Sequence, residues 1–321
     1  MAEQGNSWGA FGVFEAGASW EDVLTGTERA GGPSPHGSSW WKDFRTCEYL
    51  FWAKHVRGME AASTHPRFEK LHEALELGGL YHEALARYYL EHLKHFDGQG
   101  MAISDASQEE VDEACILAMY DIVNRAEKVV PGTATQVRRY LEGWLQLFGP
   151  GRPLDDRRST MYVEQMVEVD ADGFPYSTRW DRVFWDAKLG GPVLQEHKTA
   201  SFYSEALLAS YRTDPQMIGQ MYCWERSEFA KRHGPLVGYR VSICVKKAQR
   251  EYPQEDVPVN GKVIKDWVKD QRWLYMQMQQ CAALKTWPRR RGNCIQWMRP
   301  CEFHEHCSLC SRNWYGYSKK R

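Results

Sequence analysis

Residues 178–204 read TRWDRVFWDAKLGGPVLQEHKTASFYS, and this stretch decides the fold. Thr178–Trp185 and Val193–Lys198 are short, rich in aromatic or β-branched residues, and separated by the turn signal Gly190-Gly191. They predict consecutive strands of one sheet. Side chains alternate along a strand, so Glu196 and Lys198 project from one face and His197 from the other. Asp181 lies on the preceding strand and comes beside them across the hairpin. Two carboxylates converging beside an amine are costly unless a divalent cation neutralises them. Mg2+ or Mn2+, which seek oxygen donors, suits such a site. An ion there polarises a phosphodiester and helps deprotonate water, while the lysine orients that water or offsets charge on phosphorus. A surface hairpin with a cross-strand ion pair has the same spacing, because Glu-x-Lys arises often by chance. The neighbours Trp180, Val183, Val193 and Leu194 are fit for a core, which argues against charges placed there for solubility.

Outward from the hairpin, Met161–Val167 predicts an earlier strand, closed by the turn Asp172-Gly173. Asp214-Pro215 opens a helix, because Asp caps well and Pro suits the first helical position. Val237–Val245 predicts a further strand, and Val263 to about Leu284 a long helix. The front half carries helical periodicity instead. Phe44, Cys47 and Phe51 share one face of a helix near residues 40–57, and His82, Leu85, Tyr89 and Leu93 share another. Val111, Cys115, Ala118 and Ile122 mark a third face, and Val137, Leu141, Trp144 and Phe148 a fourth. Residues 1–38, rich in Gly and Ser with Pro33 and Pro35, are expected to form a flexible arm. The expected organisation is that arm, a helical region over 39–150 with His82, an α/β core over 151–285, and a cysteine-rich tail over 286–321.

Composition sets bounds. A chain of 321 residues with 26% charged and 43% hydrophobic residues reads as an ordinary globular protein. A formal net charge of −1 gives no global signal for nucleic acid, which counts against a passive DNA-coating protein. An enzyme needs only a local basic groove. No apolar run reaches the length of a membrane span, so no membrane partner is expected. With no basic start followed by an apolar stretch, the nine cysteines favour thiols or metal ligands over disulfides, and a cytoplasmic location.

The segment TRWDRVFWD…VLQEHKTASFYS resembles the catalytic hairpin of RecB-like nucleases in the PD-(D/E)xK superfamily. GGLYHEALARYYLEHL, residues 78–93, resembles the family's preceding helix, whose histidine is a metal ligand. DPQMIGQMYCW, residues 214–224, resembles the helix that carries its Gln-x-x-x-Tyr motif. The likeness runs in order over roughly residues 40–310. It implies a restriction-endonuclease-like α/β fold, a central mixed β-sheet flanked by helices, that cleaves DNA with Mg2+ or Mn2+. Carried over, His82, Asp181 and Glu196 bind the metal with the backbone carbonyl of His197, and Lys198 is catalytic. Gln216 sits near the active site and the DNA backbone. The family's tyrosine is here Gln220, which shares a helix face with Gln216 and can reach a phosphate but cannot stack.

The tail contains CIQWMRPCEFHEHCSLC, residues 294–310. CRISPR-associated RecB-like nucleases and the AddB nuclease domain hold a [4Fe–4S] cluster with one cysteine ahead of the core and three behind it. Cys47 ahead and Cys294, Cys301 and Cys307 behind match that layout. The competing readings are a Cys47 simply buried on an apolar face and a structural Zn2+ site using Cys301, His304 or His306, Cys307 and Cys310; the cluster ranks first because it explains the distant Cys47 as well as the tail. A cluster with Cys310 in place of Cys294 is a further choice. The expected function is a DNA exonuclease or end-processing nuclease of recombination, repair or phage DNA metabolism. Its partner is single-stranded DNA or DNA ends. No phosphate-binding Gly-x-x-x-x-Gly-Lys loop is present, so unwinding falls to a helicase or recombination-protein partner. The alternatives are a catalytically silent DNA-binding or assembly subunit with the same fold, and a zinc-stabilised interaction protein.

Overall fold

Trp40, Trp41 and Phe44 bury one face of helix α1 (Ser38–Thr46) in a computed structural model that describes residues 36–61, 69–97, 101–246, 251–296, 299–304, 307 and 317–319. Residues 1–35 of the expected arm lie outside the described residues; at its end His36 is buried edge-on against Trp40. Helix α1 stops at Cys47, whose backbone is extended (φ −167°, ψ 124°). Helix α2 (Glu48–Phe51) and a π-turn over Trp52–Val56 then restart the chain. The single helix expected across residues 40–57 is therefore broken at Cys47. The cause lies in the tail: the Tyr49 amide bonds the Pro288 carbonyl at 3.0 Å. Phe44 and Phe51 are buried, whereas Cys47 is only half-buried. The strand β1 (Met59–Ala61) closes this stretch.

Contacts divide the chain into two compact units, one drawn from Met1–Ala62, Asp170–Pro175 and Val268–Arg321, the other from Ser63–Val169 and Tyr176–Trp267. In the second unit, helices α3 (Glu69–His92), α4 (Gln108–Glu127) and α5 (Pro131–Phe148) pack as a trio. Their ends follow local chemistry. The Ser107 hydroxyl accepts from the Glu110 amide and the Glu110 carboxylate from the Ser107 amide, a capping box, and Pro131 starts α5. Leu85, Val111, Cys115, Met119, Val137 and Trp144 share one apolar core. On α4 the buried stripe is Val111, Cys115, Met119 and Val123, so Ala118 and Ile122 flank the core rather than fill it.

Beside this trio lies a five-stranded sheet in the order β2 (Thr160–Ala171), β3 (Phe174–Asp186), β4 (Gly191–Ala200), β5 (Gly238–Val245), β6 (Gln254–Val257). β3 and β4 pair antiparallel, β4 and β5 parallel, and β5 and β6 antiparallel, so the sheet is mixed as expected. Parallel neighbours need a crossover. Here it is made by helices α6 (Glu205–Tyr211), α7 (Pro215–Arg226) and α8 (Glu228–His233). Asp214 caps α7 by accepting from the Gln216 amide at 2.7 Å, with Pro215 in the first turn. Gly219 lets α7 press on β3, since a Cβ there would collide with the Tyr176 ring. Residues 191–197 of β4 are buried without alternation, as a central strand covered on both faces requires. Helix α9 (Gly261–Ala283) supplies residues to both units. The tail holds β7 (Ile295–Gln296), its antiparallel partner β8 (Arg299–Pro300), and β9 (Tyr317–Lys319), which pairs with β1. Among the described residues no helix is long and apolar enough to cross a membrane.

Candidate active site

The register of the β3–β4 hairpin pairs Arg182 with Gln195, one step from Asp181 and Glu196. That register brings the Asp181 carboxylate onto the His197 amide, at 2.8 Å. The same oxygen, Oδ2, lies 3.4 Å from Nδ1 of His82, delivered by α3. Burial alone would raise Asp181. The charge and hydrogen bond of His82, with the charge and amide of His197, outweigh it and hold the carboxyl at about 2. Conversely, burial depresses His82 but Asp181 overcomes it and raises the imidazole.

Glu196 is 3% exposed and both its oxygens are engaged. Oε1 accepts from Lys198 Nζ at 2.5 Å and from the Gln216 amide at 2.8 Å, and Oε2 accepts from the Gln220 amide at 2.9 Å. Burial and the charge of Asp181 push its carboxyl up against the pull of Lys198. The Gln216 carbonyl also accepts from Lys198, at 3.2 Å, so the ammonium is held between two acceptors. Burial would lower Lys198, yet Glu196 raises it on balance. It stays an ammonium, a donor and a charge rather than a base.

The ring of His197 lies stacked on Tyr89, with centroids 6.2 Å apart, and edge-on to His82 at 6.3 Å. Both its ring nitrogens are buried without a hydrogen-bond partner among the described residues, and burial lowers the imidazole to about 3. Beneath it the fully buried Arg182 donates to Tyr89, Thr160, Gln195 and Asp156, and its guanidinium lies 4.1 Å from the Tyr89 ring centre. This network fixes the strand that carries Asp181.

One expected role changes. Gln220 is 2% exposed and spends its amide inside the protein, donating to Glu196 and accepting from the Tyr239 hydroxyl. It braces a carboxylate from inside the protein, whereas Gln216 on the same helix is half-buried. Of the expected metal ligands, His82 pairs with Asp181, while Glu196 is held by Lys198, Gln216 and Gln220. Among the described residues no three His, Cys, Asp or Glu side chains are grouped closely enough to hold a metal ion together. The donor chemistry nevertheless fits an oxygen-seeking divalent ion. The half-buried Asp181 and the buried Glu196 come from adjoining strands, and each is neutralised by a cationic or N–H donor that such an ion could replace.

The sequence profile of the PD-(D/E)XK nuclease superfamily matches residues 39–310. The chain belongs to that superfamily. Among curated proteins no sequence matches it. Among solved structures, this superfamily member is similar to the "Putative exonuclease" from Eubacterium rectale at 11% identity and a TM-score of 0.42, covering 84% of this chain and 86% of that one. It is similar also to SSO0001, at 11% identity and a TM-score of 0.27, over 53% of this chain and 68% of that one.

Three residues of this superfamily member that pattern reading missed surround the site. Tyr239, on β5, completes the line Tyr239–Gln220–Glu196. Glu164, on β2, has a left-handed backbone (φ 51°), unusual for a non-glycine residue inside a strand. It pairs with Arg179 at 2.8 Å, and burial and then the charge of Asp181 raise its carboxyl to about 7. Glu164 and Arg179 line a cavity of about 420 Å³ with Gly79, His82, Glu83 and Arg87. A glutamate in a run of Tyr, Val, Gln and Met was the only local signal for this position.

In the other unit, Cys47, Cys294, Cys301 and Cys307 line one cavity of about 310 Å³ with Arg289 and His304. The break at Cys47 turns its sulfur to the tail, where it accepts from the Arg290 amide at 3.4 Å. The Cys301 amide bonds the Cys294 carbonyl at 2.7 Å. Burial raises Cys301 to about 12, and it raises Cys307 against the pull of Arg289. Leu50, Ala53, Met59 and the fully buried Phe303 form the apolar floor. Cys310 and His306 lie outside the described residues.

Proposed function

We propose that this chain is a divalent-metal-dependent deoxyribonuclease that hydrolyses phosphodiester bonds as an exonuclease or end-processing enzyme. The observation that carries the reading is Lys198, an ammonium gripped by Glu196 and Gln216 beside the half-buried Asp181. His82, Asp181, Glu196 and the backbone carbonyl of His197 would hold Mg2+ or Mn2+, which supplies charge at the phosphate and acidifies water. Asp181 enters this role ionised at neutral pH, since its carboxyl is held at about 2. Lys198 supplies a fixed positive charge to the non-bridging oxygens as negative charge builds on phosphorus. Gln216, already hydrogen-bonded to Lys198 and Glu196, sets the direction of that ammonium. DNA ends or single strands are the proposed substrate, in recombination, repair or phage DNA metabolism in the cytoplasm, with unwinding left to a helicase or recombination-protein partner.

The test is cleavage of end-labelled linear and closed circular DNA in Mg2+, in Mn2+ and in chelator. Metal-dependent loss of linear DNA with circles spared supports the reading. Binding of DNA without cleavage in any metal would make the chain a silent DNA-binding subunit instead.

The cysteine cavity is proposed to hold a [4Fe–4S] cluster of structural role. Four thiols, one ahead of the nuclease core and three behind it, converge on one space. A cluster would tie Cys47 to the tail and so close a very long loop.

A further inference from the structure

Phe202 and Tyr203 stand side by side in the loop that leaves the candidate site, 62% and 37% exposed. Neither ring has an aromatic partner among the described residues. β4 ends at Ala200, two positions past Lys198, and α6 begins at Glu205. Both ends of the connection are fixed. β4 pairs with β5 as far as Ala200, whose carbonyl accepts from the Lys246 amide at 2.8 Å. The Ser204 hydroxyl accepts from the Leu207 amide at 3.2 Å and caps α6. Helix α6 ends at the buried Tyr211, three positions before Asp214, which caps the helix carrying Gln216. The two rings thus sit on a short link anchored to the catalytic strand on one side and to the active-site wall on the other.

We propose that Phe202 and Tyr203 form a stacking platform for unpaired bases of the strand whose scissile phosphate lies at Lys198, an inference that rests on the nuclease reading above. Phe202 is four positions past Lys198, and four positions of extended chain reach at most about 14 Å. That is about four nucleotides stacked at roughly 3.4 Å each, fewer in a stretched strand. Stacking reads the face of a base and not its edge, so the platform accepts any sequence. Bases inside a duplex have both faces covered, so the platform selects single strands or frayed ends. Gln220 is turned inward and cannot stack, which leaves Phe202 and Tyr203 as the exposed aromatic side chains closest in sequence to Lys198.

The test uses the full chain and single-stranded oligothymidylate carrying 2-aminopurine at one of the first four positions on either side of the cleaved bond. In chelator, where no turnover occurs, wild-type protein is expected to change the fluorescence at one or two of these positions. Phe202→Ala or Tyr203→Ala loses that change, and Phe202→Trp keeps it. In Mg2+ the alanine variants raise KM for single strands about tenfold with kcat within about twofold, the size expected for one lost stack. An abasic nucleotide at the reporting position removes the difference between variant and wild type. No fluorescence change with the wild-type chain overturns the platform, as does a KM increase that persists on the abasic strand. Failure of the nuclease reading is separate, since it shows as absent cleavage while the chelator arm still reports stacking or its absence.

Discussion

Glu196 and Lys198, two residues apart on one strand, meet at 2.5 Å, and Gln216 touches both. The ammonium is therefore positioned by a carboxylate that has two other donors of its own. Lys198→Ala is expected to cut cleavage by about 10²–10³, the scale of a lost transition-state donor. The fold should survive, because Gln216 and Gln220 still satisfy Glu196 and burial lets it take up a proton. Cleavage rate and a thermal unfolding scan check this together. A variant that cleaves at the wild-type rate removes Lys198 from the active site.

Gln220 supports Glu196 from behind and is itself held by Tyr239. Gln220→Leu leaves a buried carboxylate oxygen and a buried hydroxyl each short of a partner, at about 1–3 kcal/mol apiece. Tyr239→Phe strands only the Gln220 carbonyl and should cost less. Because the three groups form one chain, the double variant should lose less than the sum of the single losses. Urea unfolding of the four proteins measures this, and strict additivity would dissolve the chain into unrelated contacts.

The β3–β4 hairpin was legible because apolar strands carrying Asp181, Glu196 and Lys198 have no reason to be charged unless the charges meet. Gln216 and Gln220 were legible as one helix face, and both do reach Glu196. Their inward direction was not, since it depends on how closely α7 approaches β3 at Gly219. Tyr239 was hidden because its place follows from the parallel pairing of β5 with β4 across a long crossover, where periodicity says nothing of register. Glu164 was hidden for a smaller reason, one residue with φ 51° in a strand. The break at Cys47 escaped notice because a distant hydrogen bond, Tyr49 to Pro288, competes with a locally sound helix.

Cys47 and Cys301 come from opposite ends of the sequence and line the same cavity. Protein purified without oxygen is expected to be brown and to contain iron and sulfide in equal amounts. Cys47→Ser and Cys301→Ser should both lose the colour and lower the unfolding temperature by several degrees, because a cluster bound only by folded protein contributes its binding energy to folding. Cys115→Ser, altering a thiol buried in the helical trio, should keep the colour. Zinc without iron in the purified chain would assign the cavity to a single ion.

Glu164 gives the candidate site a pH signature in metal-free protein. Its carboxyl titrates at about 7 in the fold, against an ordinary value of 4.5, because burial and then Asp181 disfavour the charge. Between these values the folded chain keeps a proton that the unfolded chain has released. Stability therefore falls as pH rises from about 4.5 to about 7 and is not lowered further by this group above that range. The side chain is 24% exposed, so the cost at pH 8 is taken as about 1–2 kcal/mol rather than the full shift. Glu164→Gln is neutral in both states and removes this slope. In chelator, urea midpoints at pH 5 and pH 8 should draw together in the variant relative to wild type. If instead the variant is weakened equally at both pH values, the Arg179 ion pair outweighs the burial of the charge, and Glu164 is an ordinary surface carboxylate.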